Sequence, residues 1–160
     1  MLRRTVVALL LVASLAWAVS IVAVPLVVAR SRAREAPPAV ASVLVYVAGS
    51  VVCHQRPERS FHVDGVPLPV CARCLGFYVA APLGLAAAVA GLGLGLTRTS
   101  PRTALLLAAL PTAATLAVEW AGVAQPGNAA RFAAALPLAM IGAWVIGRGL
   151  LVERKNGRLC

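Results

Sequence analysis

Long apolar runs alternate with short polar ones along this 160-residue chain. Crossing the hydrocarbon core of a bilayer takes roughly 20 apolar residues in an α-helix. Residues 5–29, 75–96, 103–124 and 132–151 each reach that length, the third with Glu119 inside it and the fourth with Arg148 near its end. Residues 39–52 are apolar but short, and predict either a tilted, buried fifth helix or a re-entrant one. The expected fold is all-α: an integral membrane helical bundle of four to five transmembrane helices.

The first run begins after Arg3 and Arg4 and contains Ala16-Trp17-Ala18, which has the look of a signal-peptide cleavage site. The apolar stretch continues to Ala29, longer than a signal core, so an uncleaved N-terminal transmembrane helix over residues 1–30 is the reading. Within residues 39–52, Ser42, Tyr46, Gly49, Ser50 and Cys53 recur at helical spacing and line one face. That face is either a packing surface of small residues or the wall of a polar site that Cys53 helps to build. Gly91 and Gly95 form a small-xxx-small pair suited to close helix contact. Pro82, Pro111 and Pro137 predict kinks, since neighbouring helices can satisfy the backbone groups they free. Residues 152–160 form a short basic tail.

Composition sharpens the membrane reading. Hydrophobic residues make up 61% of the chain and charged residues 12%, against about half and a quarter in soluble domains. The net charge of +10 does not point to nucleic acid, because the basic residues are spread between apolar runs and few aromatics are available for stacking. Charge at membrane boundaries accounts for it. The lipid bilayer is therefore the expected partner, with a homo-oligomer or other membrane subunits left open. The basic residues split almost evenly between the two faces if four spans are drawn, and favour the inside modestly if five are drawn. Both arrangements put the segment from Cys53 to Cys74 outside the cell membrane and the tail inside.

Topology alone gathers polar groups at one end. The helix starting near Leu75 begins on the cysteine side, and the next helix returns there with Glu119. The loop holding Asn128 and the start of the last helix, with Arg131, follow on that same side.

The chemistry-bearing segment is Cys53-His54-Gln55-Arg56-Pro57-Glu58-Arg59-Ser60-Phe61-His62. After a turn at Asp64-Gly65 comes Pro69-Val70-Cys71-Ala72-Arg73-Cys74. Cysteines at a helix N-terminus have their thiolates stabilised by the helix dipole, and Arg73 adds positive charge. Zn²⁺ or another transition metal accepts thiolate and imidazole in a tetrahedral set. Cys53, Cys71, Cys74 and one of His54 or His62 make four ligands. The same Cys71-x-x-Cys74 pair suits a membrane thiol-disulfide oxidoreductase with Cys53 as resolving partner. A third possibility is a non-catalytic scaffold whose cysteines form a structural disulfide; whether the protein is an enzyme stays open. Cys160, at the tail end, is set apart from the site. Glu119 is the one acid within a predicted span, sharing a face with Thr112 and Thr115 and placed to pair with Arg131. Arg56, Arg59, Arg73, Glu119, Asn128 and Arg131 form the expected polar shell. The density of arginines beside the cysteines also suits an anion such as a lipid or phosphate headgroup.

Cys53-His54-Gln55, Arg59-Ser60-Phe61, Pro69-Val70-Cys71-Ala72-Arg73-Cys74 and Gly76-x-Tyr78 resemble the signature of the DUF2085 predicted membrane proteins. Glu119 and Asn128-Ala-Ala-Arg131 match that family's second half, with Glu119-Trp120 where the family has Asp-Gly and Gly127 in place of a serine or threonine. The resemblance spans about residues 43–145 and implies a membrane domain over residues 39–151, with its Cys/His segment at 53–74. It carries no activity.

Overall fold

The computed structural model describes residues 2–93 and 100–151. Five α-helices and one small hairpin make up the described fold: α1 (Leu2–Ala33), α2 (Val40–Val52), a 3-10 turn (Pro57–Arg59), β1 (His62–Val63), β2 (Val66–Pro67), α3 (Ala72–Val89), α4 (Pro101–Trp120) and α5 (Asn128–Leu151). Four of these helices, α1, α3, α4 and α5, are long and apolar enough to cross a membrane. The tail at residues 152–160, with Cys160, lies outside the described residues, as do Gly95 and Leu96.

The burial pattern is the reverse of a water-soluble core. Large side chains such as Leu9, Val12, Leu106, Leu107 and Leu110 are exposed, while Ala72, Ala80, Ala88, Ala108 and Ala135 are buried. Lipid solvates the large apolar side chains, so helix association depends on close backbone approach and not on their removal from solvent. The α3–α5 interface, the most extensive in the fold, shows this directly. Gly76, Ala80 and Gly84 recur every four residues along α3. A Cβ on Gly76 would meet the Phe132 carbonyl, and one on Gly84 would overlap the Met140 carbonyl.

Gly91 does not take part in helix packing, contrary to expectation. It ends α3 in a left-handed conformation (φ 72°), with Leu92 N–H donating to Ala87 O at 2.9 Å and Gly91 N–H to Ala88 O at 3.2 Å, the Schellman pattern. The helices continue through Pro82, Pro111 and Pro137.

The short fifth helix is present, but not as a buried one. α2 has 13 residues, about 20 Å of rise against a hydrocarbon core of about 30 Å. It is not buried: Val40, Val43, Leu44, Val47 and Val51 are exposed. Ser42, Gly49 and Cys53 on its polar face are buried, and Ser50 is exposed. Arg4 and Ala8 of α1 lie beside Ala88, Arg148 and Leu151 around one hollow. The start of α1 and the end of α5 therefore share one end of the bundle, as the four-span arrangement requires.

Candidate functional site

At the opposite end, the chain between α2 and α3 folds back on itself. Asp64 (φ 48°) and Gly65 (φ 75°) form a two-residue turn joining β1 to β2, with His62 opposite Pro67 and Val63 opposite Val66. Two successive positive φ values characterise the type I′ turn that Asp-Gly favours. The turn returns the chain to the polar face of α2, where Tyr46 Oη donates to Pro67 O at 2.6 Å.

Gln55 then fastens the segment. Its backbone is left-handed (φ 46°), and its Nε2 donates to Tyr46 O at 2.7 Å and to Pro69 O at 2.8 Å. Gly49 leaves room for this contact, because a Cβ there would overlap the Pro69 carbonyl. Ser60 is buried; its hydroxyl donates to Arg56 O at 3.0 Å and its carbonyl accepts from Asn128 Nδ2 at 3.0 Å. Sequence reasoning gave no role to Gln55 or Ser60. Each takes part in a hydrogen bond distant in sequence, Gln55 to the Pro69 carbonyl and Ser60 from the Asn128 side chain, a relationship with no local periodic signal.

These constraints bring the three cysteines together. Cys53 caps the end of α2, and its Sγ accepts from the Cys71 amide at 3.2 Å. Cys71 caps the start of α3, and Cys74 follows one turn later. The three Sγ atoms lie within 4.8 Å of one another, with Cys53 buried and the other two half-buried. All three are free thiols. A hydrogen bond from the Cys74 thiol stabilises the Cys71 thiolate first, against opposing burial, with the Cys74 amide, the Cys53 thiol and the Arg73 amide adding to it. Together they lower the Cys71 pKa to about 5.

Among the described residues the group comprises these three cysteines alone. His54 is exposed and lines the adjoining cleft. His62 is exposed on β1. Three thiolates about 2.3 Å from a tetrahedral Zn²⁺ stand roughly 3.8 Å apart, so the sulfur spacing is close to what such an ion needs.

The second half of the site is an ion network around Glu119, which is buried. Glu119 Oε1 accepts from Arg131 Nε at 2.5 Å, and Oε2 accepts from Arg73 Nη2 at 3.2 Å. Arg73 Nη2 also donates to Thr115 Oγ1 at 3.3 Å. Arg131 Nη1 donates to Asn128 Oδ1 at 3.1 Å, and its Nη2 to Gln125 Oε1 at 3.4 Å. A buried carboxylate is tolerable only with such pairing. Arg73 thus engages Glu119 as well as standing between the cysteines. Thr115 and Gln125 complete the arrangement.

Arg56 is exposed and Arg59 half-buried. With Cys53, His54, Cys71, Arg73, Cys74 and Arg131 they line a cleft of about 310 Å³. Neither Arg56 nor Arg59 forms an ion pair among the described residues. The arrangement can hold a soft cation on its sulfurs, present a stabilised thiolate, and attract an anion.

Fold and site together define an integral membrane helical protein with a thiol-bearing, arginine-lined cleft at one end of its bundle. The chain belongs to the DUF2085 family, described as "Predicted membrane protein", which matches residues 53–145. An uncharacterized protein of Methanocaldococcus jannaschii is 43% identical over 44 residues, 28% of each chain. An uncharacterized protein of Methanothermobacter thermautotrophicus is 50% identical over 30 residues, 19% of this chain and 27% of its own. The matched region thus spans little more than a quarter of each curated relative. No solved structure matches.

Proposed function

We propose that the protein is a metal-binding membrane protein that holds Zn²⁺, or a similar thiophilic ion, on Cys53, Cys71 and Cys74. The observation that carries this reading is the convergence of three free thiols from two separate segments to within 4.8 Å. Three protein ligands leave a fourth tetrahedral position for His54, water or a substrate group; His54 lines the cleft, whereas His62, on the hairpin, does not. Arg56, Arg59, Arg73 and Arg131 surround that cleft, with Glu119 and Asn128 setting the last two. The segment is proposed to lie outside the cell membrane. Elemental analysis of the purified protein in detergent tests the metal reading. About one metal per chain in the native protein, lost in Cys71→Ala, supports it; unchanged metal content in Cys71→Ala overturns it.

The lowered Cys71 pKa favours a second reading, thiol-disulfide exchange. The Cys71 thiolate would attack a substrate disulfide and release one substrate thiolate. Cys74, in place of the Cys53 expected from sequence, would then resolve the mixed disulfide, leaving Cys71–Cys74 oxidised and the substrate fully reduced. Loss of exchange in Cys71→Ser and Cys74→Ser, in metal-free protein, supports this reading; exchange retained in Cys74→Ser overturns it.

A further inference from the structure

The cysteines account for one wall of the cleft; its cationic wall points to a second ligand. Four arginines line the cleft, and Glu119 offsets one of their charges. An excess of positive charge therefore faces the cleft. Glu58 lies on the neighbouring hollow beside Arg59 and forms no ion pair among the described residues. Arg73 and Arg131 are held by Glu119, whereas Arg56 and Arg59 are left to meet a ligand. Arg73 Nε is buried without a hydrogen-bond partner among the described residues, and such groups call for an explanation in a folded protein.

We propose that this cleft binds a phosphate monoester group, with Arg56 and Arg59 as its principal contacts. Guanidinium forks match phosphate oxygens, and a dianion matches the two guanidinium groups, Arg56 and Arg59, that Glu119 does not hold. The cleft volume is at the lower end of small-ligand sites and exceeds what a bare phosphate fills, leaving room for part of the group it esterifies. A phosphorylated lipid headgroup and a soluble phosphate ester share this chemistry. The headgroup is accessible on geometric grounds: Ile21 packs with Leu68, Val70 and Leu75 beside the cysteines, while the basic end of α1 starts at Arg30, roughly 14 Å further along the helix axis. The inference uses the arginines and does not rest on the metal reading, so metal content and phosphate binding fail independently.

The test is titration of the full chain with inorganic phosphate, in uncharged detergent at fixed ionic strength, read by calorimetry. The native protein is expected to bind, and Arg56→Gln/Arg59→Gln is expected to bind at least tenfold more weakly. Arg30→Gln/Arg32→Gln, which removes the same charge outside the cleft, is expected to retain native affinity. Size-exclusion and thermal profiles confirm that the variants fold. No binding by the native protein, equal affinity in the cleft variant, or equal losses in both variants would overturn the proposal. Phosphatidylcholine nanodiscs with and without phosphatidic acid separate the sources. Competition by phosphatidic acid that needs Arg56 and Arg59 assigns a lipid headgroup; phosphate affinity unchanged by it assigns a soluble ester.

Discussion

The Cys71 amide donates a hydrogen bond to Cys53 Sγ at 3.2 Å, joining the end of α2 to the start of α3 across 18 residues of sequence. The same contact sets the third sulfur beside the Cys71-x-x-Cys74 pair. Cys53 is thereby part of the loop's architecture as well as of the candidate metal set.

On the proposed metal reading, removing the ion would have a structural consequence as well as a compositional one. In a Cys160→Ser background, chelation is expected to make three thiols per chain reactive and to lower the thermal midpoint, because ion binding stabilises only the folded arrangement. Thiol counting and thermal unfolding in the same sample check this. Thiols equally reactive before and after chelation would contradict it.

Gln55 ties α2 to the segment before Cys71 through two carbonyls. Gln55→Leu removes both donors and is expected to cost about 1–3 kcal/mol, with weaker metal retention. Unfolding in graded denaturant measures the first effect and competition with a chromogenic chelator the second.

Glu119 pairs with two guanidinium groups whose side chains are 14% and 7% exposed. Glu119→Leu alone strands both and is expected to cost about 3–5 kcal/mol. Glu119→Leu/Arg131→Leu is expected to cost less than the sum of the two single changes, since the second removes one of the stranded charges. A double-mutant cycle gives the coupling; strict additivity would mean that the pair contributes nothing.

Gly84, in the α3–α5 seam, and Gly149, on the open side of α5, are expected to respond differently to substitution. Gly84→Ala forces a Cβ against the Met140 carbonyl and is expected to destabilise by about 1–3 kcal/mol. Gly149→Ala meets open space and is expected to be neutral, or to stabilise by up to about 1 kcal/mol through helix propensity. Thermal midpoints in one detergent compare them directly.

Membrane sidedness can be read at His62, which is exposed on the hairpin. In a background lacking the native cysteines, His62→Cys is expected to label with a membrane-impermeant maleimide in intact cells. Labelling seen only after lysis would place the cysteine segment inside.

Much of this fold is legible in sequence because its signals are local. Length and hydropathy mark α1, α3, α4 and α5; Asp64-Gly65 marks the hairpin; Cys71 and Cys74, three residues apart at a helix start, must lie near each other. Helical periodicity also places Ser42, Tyr46, Gly49 and Cys53 on one face of α2. Tertiary structure decided what those faces meet. It left α2 largely exposed, placed the close α3–α5 contact at Gly76 and Gly84 instead of at Gly91, and gathered the three sulfurs without a histidine among them. It also gave Glu119 its partners among the chain's many arginines, Arg73 lying 46 residues away and Arg131 lying 12. Periodicity reports the geometry of one helix against its own axis. Partner choice depends on the register between helices, and here small residues set that register by allowing backbones to touch.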